Sequence, residues 1–266
     1  MRGRIGTLLI GPVLVTVSLT LPVAAMAQWF TVPLRGTPRT ADGKPDLTAP
    51  APKAADGRPD LSGVWSVAPT VGAGPGYLAN IARDLPGGPP LQPWAKALHD
   101  QRKAAEGAGR PSERCLPHGI PDAMLVRNLP FKIIQAPDVT VILYEELNNW
   151  RQVHTDGRAL PVDPEPAWFG YSVARWEGDA FVVETRGFND QSWLDDYGTP
   201  HSEALRTTER FRRLDFGHME IAFTFDDPKA YTKPWSTTIR FDLRPDTELL
   251  DHQCDNEKWS SRGAAK

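Results

Sequence analysis

Alternation of apolar and polar side chains governs the second half of this chain. Within residues 171–176, Tyr171, Val173 and Arg175 fall on one side and Ser172, Ala174 and Trp176 on the other, the period of two expected of a half-buried strand. Glu177, Gly178 and Asp179 form a tight turn, and residues 180–186, rich in Val, Phe and Thr, run back as a second strand. A third strand, 205–213, puts Leu205, Thr207, Glu209 and Phe211 on one face and Arg206, Thr208, Arg210 and Arg212 on the other. Further strands are predicted at 61–65, 131–135, 139–145, 150–153, 218–225, 235–243 and 247–253. Turns such as Ala136-Pro137-Asp138 and Thr155-Asp156-Gly157 separate them. Consecutive short strands joined by tight turns predict an antiparallel meander, and closure into a β-barrel removes an edge that would otherwise aggregate. The class is all-β, with long irregular loops and one short N-terminal helix. That helix is predicted at 91–105, where Pro93 suits the first turn and a Trp94/Leu98 stripe would pack on the sheet.

The first half reads differently. Residues 1–27 have a basic start, an apolar run and an Ala25-Met26-Ala27 cleavage site, the pattern of a removable signal peptide; the alternative is an uncleaved anchor. Residues 28–59 are rich in Pro, Ala and Gly and carry a near-repeat, ADGKPDL at 41–47 and ADGRPDL at 55–61. Two copies are too few for a repeat fold, and the composition predicts an extended, flexible, solvated tether. A single β-barrel domain is expected over 60–259, followed by a disordered tail at 260–266. GVW at 63–65 opens the first strand; lipocalin-like barrels begin with such a motif, although a buried Trp in any β-domain would fit equally well.

Charge and cysteine content narrow the function classes. A formal net charge of −3 provides no basic footprint for nucleic acid, and no second apolar run is long enough to cross a bilayer once the leader is gone. Cys115 and Cys254 are the only cysteines, which in an exported chain most simply form a disulfide. The loop closed would span 139 residues, with a chain-entropy contribution approaching ~4–5 kcal/mol. A redox or nucleophilic cysteine is the weaker alternative, since neither lies in CxxC. The six histidines are scattered with no HExxH or Cys/His cluster, and no phosphate-cradling glycine loop occurs, so neither metal nor cofactor is expected.

Chemistry concentrates in the loop at 187–204, too long for a plain connection. His201 is the leading proton-transfer candidate, beside Ser202 and Glu203 and restrained by Pro200; an exposed residue in a capped turn is the alternative. Asp195 could orient it. Glu209, on the apolar face of its strand, is either a buried carboxylate paired with an arginine or a barrel-lining acid whose pKa burial raises. Glu184 could face either way. Tyr171 adds a phenol to the catalytic candidates. Trp150, Arg151 and Tyr171 suit an aromatic or carboxylate-bearing ligand through stacking and bidentate hydrogen bonding, and Trp193 and Glu184 are further ligand-binding candidates.

GYSVARWEGD (170–179), PHSEAL (200–205), TERF (208–211) and DPKAYTKPW (227–235), with DLSGVW (60–65), resemble as a set a large group of exported bacterial proteins of unknown function. The resemblance covers roughly residues 61–258 and departs at Ala174, where that group tends to have glycine. It implies a calycin- or lipocalin-like barrel exported to the periplasm or secreted, and no activity. The expected function is an acid–base enzyme, a lyase, decarboxylase or isomerase, acting without cofactor on a small aromatic or hydroxylated molecule inside the barrel. A lipocalin-like carrier with the same pocket and an envelope-interaction module are the competing expectations.

Overall fold

The computed structural model describes Val32 and residues 36–69 and 79–254. The leader at 1–27, most of 28–35, the Gly/Pro-rich stretch at 70–78 and the tail at 260–266 lie outside the described residues. Nine strands close into one barrel in chain order: β1 (Gly63–Val67), β2 (Phe131–Gln135), β3 (Val139–Tyr144), β4 (Trp150–His154), β5 (Tyr171–Glu177), β6 (Ala180–Arg186), β7 (Arg206–Arg213), β8 (His218–Asp226) and β9 (Trp235–Leu243). Inward-pointing Met219, Ile221, Phe223 and Phe225 are fully buried on β8, while the residues between them are only half-buried. On β7, Thr207, Glu209, Phe211 and Arg213 point inward and the other arginines outward, as the alternation requires. Aromatic rings fill the interior, with Phe131 against Phe241 at 5.3 Å and Phe181 against Phe211 at 6.0 Å. Each such ring removed from water contributes roughly 1.5–3 kcal/mol.

One end of the barrel is sealed. Trp65 is fully buried and donates its indole N–H to the Leu61 carbonyl at 3.0 Å. The Arg213 guanidinium lies 5.0 Å from that ring and donates to the carbonyl oxygens of Asp60, Asp215 and Phe216. A Cβ on Gly63 (φ +140°) would come within 2.6 Å of Leu243, so the glycine lets β1 approach β9 closely.

Four expectations change. First, the wall is not antiparallel throughout: β4 and β5 run parallel, paired only through Val153–Ser172 and His154–Val173. A parallel pair needs a long return connection, which residues 155–170 supply. Second, residues 247–253 form no strand, since β1 already pairs with both β2 and β9 and leaves no edge to extend. Third, the helix α1 (Pro93–Ala104) presents Ala95, Leu98 and Arg102 to the protein, leaving Trp94 47% exposed with its N–H on the Lys229 carbonyl at 2.7 Å. Fourth, residues 36–59 are not an extended solvated chain. Each repeat copy makes the same turn: Thr40 and Lys44 in one, Ala54 and Arg58 in the other, are joined by N–H to carbonyl bonds of 2.9 and 2.8 Å. The first copy docks on the barrel, where Phe216 and Gly217 donate to the Ala49 and Leu47 carbonyls, each at 2.7 Å.

Candidate functional site

The end opposite the Trp65 plug is where the long connections collect, because β2, β4, β5, β7 and β9 begin there and β3, β6 and β8 finish there. Two loops there are fastened to each other. Asp227 accepts the Ser202 N–H at 2.6 Å and its hydroxyl at 2.8 Å, while the Tyr231 hydroxyl donates to the Pro200 carbonyl at 2.6 Å. Helix α1 closes over the same loop. Arg102 stacks on Trp193 at 4.3 Å, and Gly198 (φ +84°) leaves the space that Arg102 occupies, since a Cβ there would fall 2.3 Å from its side chain.

His201 is buried rather than exposed, 4% accessible. Its Nδ1 lies 3.1 Å from the Ser202 carbonyl, which can only accept, so Nδ1 carries the proton. Nε2 is then the free base and accepts the Ser192 hydroxyl at 2.8 Å. Burial lowers the pKa of the ring and keeps it neutral, and the Ser202 carbonyl and Asp227 do not reverse this. Asp195 does not orient this histidine. Its two oxygens accept the Thr199 and Ile81 N–H groups, each at 3.0 Å, and burial pushes its carboxyl up to about 6. It organises the loop that carries His201.

A second buried cluster lies in the loop pinned by the Cys115–Cys254 disulfide, whose Cα atoms are 5.6 Å apart. His118 Nδ1 is 2.5 Å from Asp122 Oδ2, and Nε2 is 2.9 Å from Glu146 Oε1. Burial opposes charge on His118, but the two carboxylates outweigh it and raise its pKa well above the ordinary value. Burial in turn pushes Asp122 up to about 7, against the pull of His118. Asp196 joins them: one ligating atom each from His118, Asp122 and Asp196 lies within 4.8 Å of the others. Gly119 connects the two clusters. A Cβ there would be 2.5 Å from Ser192 Oγ and 3.4 Å from the Trp168 carbonyl.

Where β4 and β5 part, a groove of about 430 Å³ opens, walled by Trp150, Trp168, Phe169 and Tyr171 and reaching Pro117, the neighbour of His118. Trp150 is 58% exposed, and Tyr171 packs on His154 at 5.1 Å while accepting a hydrogen bond from Arg158. Both suit a flat ligand. A wider cleft of about 730 Å³ at the plugged end has no histidine or cysteine in its lining.

The remaining sequence candidates fall elsewhere. Arg151 is turned inward and donates to both Glu209 oxygens, at 2.6 and 3.0 Å, and also to Thr185 and Ser172. Neither side chain of the pair is more than 1% exposed, so of the two readings of Glu209 the arginine-paired carboxylate holds, and Arg151 is committed to the core rather than to a ligand. Glu184 faces outward and pairs with Arg175 at 3.0 Å. Trp193, 5% exposed, lies under Arg102 and not in the groove. His118, Asp122, Glu146 and Ser192 were not among the residues expected from sequence. The one local signal was His118 and Asp122 four residues apart in a loop just after a cysteine.

A scan of this chain against protein-family models gives no match, and searches of curated proteins and of solved structures give none. Among the described residues no helix is long and apolar enough to cross a membrane.

Proposed function

We propose that this protein is an exported acid–base enzyme, a lyase, decarboxylase or isomerase, acting on a small aromatic or hydroxylated molecule. The observation that carries this reading is the Ser192–His201 pair: a buried, neutral imidazole whose free Nε2 receives the hydroxyl of Ser192 at 2.8 Å. In such a pair the hydroxyl takes a substrate proton as its own proton passes to Nε2, and the reverse transfer completes turnover. Gly119 supports the placement, since it packs on both Ser192 and the Trp168 carbonyl at the end of the aromatic groove. The substrate would lie in that groove, against Tyr171 and Trp150, rather than in the packed barrel interior.

The test is a thermal-shift screen of the mature protein against aromatic acids, phenols and sugars, with product detection by mass spectrometry. The expected result is a stabilising compound that is converted. Ser192→Ala and His201→Gln should lower turnover by about 10²–10⁴ while the ligand-induced shift stays. Equal conversion by both variants would overturn the assignment. A ligand recovered unchanged would favour the carrier reading, which the exposed face of Trp150 supports.

A further inference from the structure

We infer that His118, Asp122 and Asp196 bind a divalent first-row transition-metal cation. Three observations converge on the same point. The ligating atoms of the three side chains lie within 4.8 Å of one another, with His118 and Asp122 buried and Asp196 half-buried. Around a cation bound at about 2.0–2.2 Å, ligand atoms are separated by roughly 3–4 Å, so the cluster closes on an ion through small side-chain shifts. Next, the far nitrogen of His118 is already held by a carboxylate, Glu146 Oε1 at 2.9 Å from Nε2. That is how metal-ligating histidines are fixed, with one nitrogen donating to an outer carboxylate and the other turned to the ion. Here the nitrogen turned inward is Nδ1, beside Asp122 Oδ2 at 2.5 Å.

Charge is the third observation. Asp122, Glu146, Asp196 and the adjoining Asp195 bring four carboxylates together; the cations facing them are Arg110, 3.6 Å from Asp196 Oδ1, Arg102 beside Asp195, and His118 itself. A doubly charged ion, bound in place of the His118 proton, adds positive charge where carboxylates outnumber cations and burial makes that imbalance costly. Each support is tied down: Asp122 opens a short 3-10 turn at Asp122–Met124, Asp196 Oδ2 accepts the Ala79 N–H at 3.1 Å, and the disulfide at Cys115 anchors the loop. One imidazole with two or three carboxylates selects Zn²⁺ or Mn²⁺ over Ca²⁺ and Mg²⁺, which prefer all-oxygen shells.

The inference is independent of the Ser192–His201 reading, because its test measures binding and not turnover. The mature protein, dialysed against chelator and with its disulfide intact, is titrated calorimetrically with Zn²⁺, Mn²⁺ and Mg²⁺. One transition-metal ion per chain is expected, with Mg²⁺ at least 100-fold weaker. His118→Gln and Asp196→Asn should each weaken Zn²⁺ binding by 100-fold or more, and Glu146→Gln by about 10–100-fold. Asp196 is half-buried, so Asp196→Asn serves if His118→Gln fails to fold. His154→Gln, in the groove, should leave binding unchanged and so exclude capture by another histidine. No uptake by the wild type, or uptake that survives both His118→Gln and Asp196→Asn, would overturn the assignment.

Discussion

Two buried charge centres lie in this molecule, and they are built on different principles. Inside the barrel, Arg151 and Glu209 meet through two parallel hydrogen bonds, and the hydroxyls of Ser172 and Thr185 take the guanidinium's remaining nearby donors. One cation meets one anion, and every participant projects from a strand whose register fixes it. At the mouth, one imidazole serves two carboxylates, a third lies close by, and all come from connecting segments. The first centre is complete in itself. The second has more acceptors than donors. Balance on a rigid sheet is what a structural ion pair needs, whereas an imbalance held by loops is what a site for an outside charge or proton needs.

The comparison can be broken most decisively from the barrel side. Glu209→Ala leaves a buried guanidinium unpaired and should lower unfolding free energy by about 3–5 kcal/mol in chemical denaturation. Replacing both partners, Arg151→Met with Glu209→Leu, should lose much less, since no orphaned charge remains. A double variant as unstable as the single one would mean that the interior needs the charges themselves.

Removing the disulfide tests the mouth. Cys115→Ser with Cys254→Ser should cost about 2–4 kcal/mol and remove amide-exchange protection from residues 111–125 before β4 and β7. Uniform loss across the barrel would show that the mouth loop is not a separate cooperative unit.

The smallest effect is the most local. His201 has its pKa lowered by burial, so in the pH window opening at its ordinary value of 6.5 and running down to the folded value, the unfolded chain takes up a proton that the fold refuses. Stability from this group is therefore present above 6.5 and lost as pH falls through that window. The thermal midpoint of the wild type should drop more between pH 7.5 and 5 than that of His201→Gln. An identical drop would place the acid sensitivity in other groups.

How much of this was readable from sequence follows the same division. The strands β7–β9 were legible because each buries alternate residues, and a period of two survives any turn or loop between them, whereas β6, buried on both faces at its start, was legible from its run of Val and Phe. Glu209 was placed on the inner face by that rule alone, while its partner Arg151, 58 residues earlier, could not be chosen from the other arginines. The mouth offered no such rule. His118 sits in a Pro- and Gly-rich loop without periodicity, and its partners Glu146 and Asp196 are distant in sequence. The repeat copies misled by composition: Pro, Gly and Asp suit an extended chain and equally suit the tight turn that each copy makes. Ser192 was not legible because the hydroxyl that reaches Nε2 lies nine residues from His201 in a loop without periodicity.

The closing strand carries one more consequence, for the order of events during synthesis. β1 is the first strand made, yet its partners are β2, more than sixty residues later, and β9, where Trp65 pairs with Leu243. Until the ribosome has finished β9, Trp65 and its neighbours can pair with β2 on one side only, and the edge that meets Leu243 stays open. The remaining strands, apart from the parallel seam, find partners as soon as the next hairpin emerges. The barrel can therefore close only when the last strand made meets the first.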